Sequence, residues 1–105
     1  MQQTDVFVTP WPDTAVPSEQ IIRDCLGDEN LKPYRWSNGP HDIYGAHEHP
    51  YNKVIYVVSG SITFRLPETG TQLTLFEGDR LDLPQGTVHS AEVGPKGVVC
   101  LEAHR

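Results

Sequence analysis

A chain of 105 residues makes one domain and leaves no room for separate cofactor and substrate domains. Eight Lys and Arg against fourteen Asp and Glu give a formal net charge of −6, which repels phosphate backbones, so nucleic acid is not an expected partner. The apolar share of 37% is lean for a lone core, so a homodimer is expected, and the longest apolar run, Val54 to Val58, is far too short to span a membrane.

The opening residues, Met1 to Asp5, have neither the basic start nor the apolar stretch of an export signal, and the expectation is a cytoplasmic protein. Residues 1–16 read as an N-terminal arm, with Val6 to Val8 as an edge strand and Pro10, Trp11 and Pro12 as a stiff connector. Residues 17–105 read as a single β-barrel domain. One short helix is predicted at about residues 18–26: Ser18 caps it, Ile21, Ile22, Cys25 and Leu26 recur at helical spacing, and Gly27 stops it. Cys25 and Cys100 lie far apart with no CxxC, which predicts two buried, reduced thiols.

Beyond the helix come short extended runs: Tyr34 to Ser37, Tyr44 to His49, Lys53 to Val58, Ser61 to Leu66, Gln72 to Phe76, Arg80 to Leu83, Val88 to Val93 and Val98 to Ala103. Turn residues separate them, among them Ser59-Gly60, Pro84 to Gly86 and Gly94 to Gly97. A strand about every eight to twelve residues predicts an all-β sandwich or small antiparallel barrel.

The histidines carry the chemistry. On a strand, His47 and His49 project from one face, and paired neutral imidazoles are a common start of a transition-metal site. The bland alternative is a His-rich strand end in solvent. His41 follows a turn and His104 stands beside the terminus, and both read as solvated.

Residues 45–60 read GAHEHPYNKVIYVVSG and residues 78–93 read GDRLDLPQGTVHSAEV. The two segments resemble the paired motifs of the cupin superfamily. In the first motif His47, His49 and Gly60 fall in register, Lys53 stands where the family has Glu, and His41 falls where it has a leading Gly. In the second, Gly78, Pro84, Gly86 and His89 match, and Val93 replaces an Asn. The resemblance implies an antiparallel jelly-roll barrel in which His47, His49 and His89 hold a divalent transition metal, commonly Fe, Mn, Ni, Cu or Zn.

Lys53 then poses a problem, because an ammonium has donors and no acceptor. At about 6 Å from a divalent ion and an effective dielectric near 20, it costs on the order of 5 kcal/mol in repulsion. Three resolutions stay open. It swings to the barrel mouth and pairs with Asp42 or Glu48; it sits inside as a clamp for an anionic ligand; or it loses its proton and acts as a base or Schiff-base nucleophile. Tyr51, Lys53 and Val93 are the candidate pocket residues, with Val93 giving a drier wall. Tyr44, Trp36, Phe64 and Phe76 read as core or pocket lining, Arg65 and Arg80 as surface cations, and Glu102 as a last-strand residue of open facing.

Two functions follow from different classes. One is a small metalloenzyme, an oxygenase acting on a small organic molecule at a three-histidine site. The other is a non-catalytic small-ligand-binding or sensing cupin in which Lys53 replaces the metal-ligand Glu. A sugar isomerase stands third. The homodimer is expected to form by the segment Val6 to Trp11 adding to a partner's sheet.

Overall fold

A computed structural model describes residues 6–105; Met1 to Asp5, on which the expectation of no export signal rested, lie outside the described residues. Seven strands and one helix follow in order: β1 (Phe7–Thr9), α1 (Glu19–Asp28), β2 (Tyr34–Asn38), β3 (Ile43–His47), β4 (Lys53–Leu66), β5 (Thr71–Leu75), β6 (Arg80–Leu83) and β7 (His89–His104). All pairings are antiparallel. The sheet runs β1-β6-β4-β7-β2, with β3 also paired to β7 and β5 to β4. This is the expected all-β architecture with one short helix.

The apolar run of β4 is continuous because both of its faces are covered. Ile55 and Val57 point into the barrel with Ile62, Phe64, Leu81 and Cys100. Val54 and Tyr56 point the other way, onto Ile22 and Leu26 of α1. Ser18 caps the helix as expected, its Oγ accepting from the Ile21 amide at 3.2 Å. The helix does not stop at Gly27. It runs on to Asp28 and ends at Glu29, where Asn30 takes a positive φ of 60° that asparagine tolerates. Cys100 is a buried free thiol, while Cys25 is only half-buried.

Two expected turns lie inside strands. Ser59-Gly60 and Gly94 to Gly97 do not separate strands but bend β4 and β7, whose pairing shifts register between Val57 and Ser59 and again between Gly60 and Ile62. Gly60 and Gly97 both have positive φ, and a Cβ on Gly60 would lie 1.9 Å from the Gly97 carbonyl oxygen. Backbone touches backbone there, so only glycine fits. Along β7 the second neighbour changes from β3 (Ile43↔Glu92) to β2 (Asn38↔Val98), so one long strand does the work of the two predicted.

The arm folds onto its own barrel. β1 pairs with β6 of the same chain, and the Trp11 amide donates to the Asp79 carboxylate at 3.2 Å. Arg80, expected at the surface, is largely buried; it pairs with Asp82 on its own strand and ties β6 to the helix end through Glu29. Among the described residues no helix is long and apolar enough to cross a membrane.

Candidate metal centre

His47 closes β3, His49 lies two residues beyond it, and His89 opens β7 directly opposite His47. The ring centroids stand 4.7 Å (His47 to His49), 4.4 Å (His47 to His89) and 5.4 Å (His49 to His89) apart. One nitrogen from each ring lies within 4.8 Å of the other two. The Pro84 to Gly86 turn does more than deliver His89. The Gly86 amide donates to the His49 carbonyl at 2.8 Å, and the Gln85 amide donates to Asn52 Oδ1 at 2.9 Å. The second motif thus fastens the chain that carries the first.

The tautomers follow from the neighbours. His47 Nδ1 lies 2.7 Å from the Gly45 carbonyl and His89 Nδ1 2.9 Å from the Thr87 carbonyl; a carbonyl only accepts, so both Nδ1 atoms carry the proton. His49 Nε2 lies 3.3 Å from Lys53 Nζ, a donor, and its Nδ1 lies 3.2 Å from the Tyr51 hydroxyl. All three rings therefore present an Nε2 lone pair. Burial, with the Lys53 charge adding to it, pushes the His89 pKa down to about 4 despite the Thr87 bond. Burial and Lys53 lower His49 in the same sense. Neutral imidazoles of fixed tautomer are the form a transition metal binds, so this donor set fits a nitrogen-preferring divalent ion.

The histidines face a cavity of about 340 Å³ walled by Trp36, Tyr44, Tyr51, Ile55 and Phe64. Lys53 lies inside it, 11% exposed, and its partner is neither Asp42 nor Glu48 but Glu102, at 3.2 Å. Glu102 is 3% exposed and also accepts from the Tyr34 hydroxyl at 2.6 Å, Trp36 Nε1 at 3.0 Å and His104 Nε2 at 3.0 Å. Burial pushes its carboxyl pKa up, but the Tyr34 bond, the Lys53 charge and the His104 bond together hold it below the usual range. The same burial and the carboxylate push Tyr34 up.

Of the residues picked out in the sequence, His47, His49, His89, Tyr51 and Lys53 converge on this cavity. Val93 instead packs in the barrel core at 1% exposure, opposite Ile62. Phe76 is exposed, Arg65 stays at the surface with Glu92, and His41 sits exposed at positive φ. His104 is not simply solvated: it stacks on Tyr51 at 3.9 Å and bonds Glu102. The residue that sequence reading undervalued is Glu102. The signal was available in the alternation of β2, which puts Tyr34 and Trp36 on one face with Glu102 paired opposite Tyr34.

No family model and no curated protein sequence matches the chain. Solved structures do. A DUF861 family protein from Thermotoga maritima aligns over 96% of this chain and 100% of its own, at 15% identity and a TM-score of 0.67. An RmlC-like cupin from Shewanella frigidimarina aligns over 70% of this chain and 64% of its own, at 23% identity and a TM-score of 0.61. The chain has a cupin fold. A third structure, from crystals of DMSP lyases, aligns over 71% of this chain at 29% identity and a TM-score of 0.62, and this chain spans 38% of that chain's length. Within the cupin barrel, the three histidines and the Lys53–Glu102 pair line one and the same cavity.

Proposed function

We propose that this cupin is a small metalloenzyme that holds a divalent transition ion (Fe, Mn, Ni, Cu or Zn) on His47, His49 and His89 and acts as an oxygenase on a small organic molecule. The observation that carries the reading is that one ring nitrogen from each of three histidines lies within 4.8 Å of the other two, on the wall of an aromatic cavity. Such an ion would supply Lewis acidity and, if redox-active, one-electron chemistry toward dioxygen. The protein's part is legible in its own residues. The Gly45 and Thr87 carbonyls lock two rings, and Trp36, Tyr44 and Phe64 offer an apolar wall that expels water from a bound organic body. A ligand set of neutral imidazoles leaves the ion's double charge uncompensated, which selects a substrate with an anionic oxygen head.

The lysine-clamp reading is weaker, because the charge it needs is already paired with Glu102. The DMSP lyase neighbour supports catalysis on small organic molecules in this fold. Elemental analysis of the purified protein beside His89→Ala tests the proposal. Near-stoichiometric metal that vanishes in the variant is expected; a native protein that stays metal-free after incubation with each of the five ions would overturn it.

A further inference from the structure

We infer that Lys53 is an internal competitor for the metal: its ammonium holds the His49 lone pair that a divalent ion needs, and metal entry moves it wholly onto Glu102. The inference rests on the three-histidine reading and adds what controls that site. Lys53 Nζ stands 3.3 Å from His49 Nε2 and 3.2 Å from Glu102 Oε2, so one ammonium donates to both. A single lone pair on Nε2 cannot accept a proton-bearing nitrogen and bind an ion at once.

The lysine has nowhere else to go. It is 11% exposed, and the carboxylate beside it is fixed by Tyr34, Trp36 and His104, whichever way Lys53 turns. Glu102 is therefore a standing receptor for the displaced ammonium, and it offsets part of the repulsion between Lys53 and the ion. The two residues act on metal affinity with opposite sign. Lys53 lowers it by occupying His49, and Glu102 raises it by drawing Lys53 away.

The test uses the full chain stripped with EDTA and Zn²⁺ titrated against a chromophoric chelator at neutral pH, for native protein, Lys53→Met, Glu102→Gln and His89→Ala. Lys53→Met is expected to bind Zn²⁺ about tenfold tighter than native and Glu102→Gln about fivefold weaker. Nitrogen-15 NMR of the metal-free chains is expected to show the His49 Nε2 signal displaced in Lys53→Met, a difference that Zn²⁺ abolishes. If Lys53→Met does not keep its fold by circular dichroism, Lys53→Gln replaces it, retaining a donor to Glu102 without the charge. Native binding that is equal to or tighter than that of the lysine variant overturns the competitor and leaves the histidine site standing. No binding by any chain, with His89→Ala indistinguishable from native, overturns both.

Discussion

Glu102 is a buried charge held on all sides by hydrogen-bond donors. Four donors converge on a carboxylate that water hardly reaches, and their sum holds its pKa down although burial alone would raise it. A carboxyl whose pKa is lower folded than unfolded contributes stability above the unfolded value, and that contribution is lost as pH falls through the folded one. The loss therefore lies below the ordinary carboxylate range, about pH 4. Urea denaturation at pH 6 and pH 3 checks this: native protein is expected to lose more stability across that interval than Glu102→Gln, because Glu19 and Glu29, also held low, are common to both chains. Equal losses would mean that the four donors do not favour the ionised form. At pH 6 the variant itself should be weaker by about 3 kcal/mol, since Lys53 is left buried without its counter-charge.

At the scale of elements, the barrel depends on two bent strands crossing where both lack side chains. Gly60→Ala would drive a methyl into the Gly97 carbonyl and force a positive φ on an alanine, for an expected cost of about 3 kcal/mol or more in thermal or urea unfolding. Gly70→Ala is the control: φ is also positive there, but a Cβ meets nothing within 4 Å, so only the conformational part of the cost should appear. The same crossing explains what sequence reading found and missed. Strand existence and the short helix were legible from turn residues and apolar spacing, because those are local signals. Continuity of β4 and β7 was not, since Ser59-Gly60 and Gly94 to Gly97 have the composition of turns and become bends only through pairing with a distant strand. Lys53 shows the limit at the site. The histidines could be located from motif spacing because one turn, Pro84 to Gly86, holds both segments, whereas the Lys53 partner is set by the bulged register of β4 on β7.

Over the whole molecule, one strand sends residues from both of its ends into the cavity. His89 opens β7, Glu102 and His104 close it, and β4 lies alongside almost throughout. Neither end can fray without loosening the other, because the strand that would peel away is held on both sides, by β4 on one and by β2 and β3 on the other. Amide hydrogens along β7 should therefore exchange with solvent as one block, at the rate of global opening. An ion bound through His89 favours only the closed barrel, so adding Zn²⁺ in excess should slow that whole block together, including amides beside Glu102 at the far end of the strand.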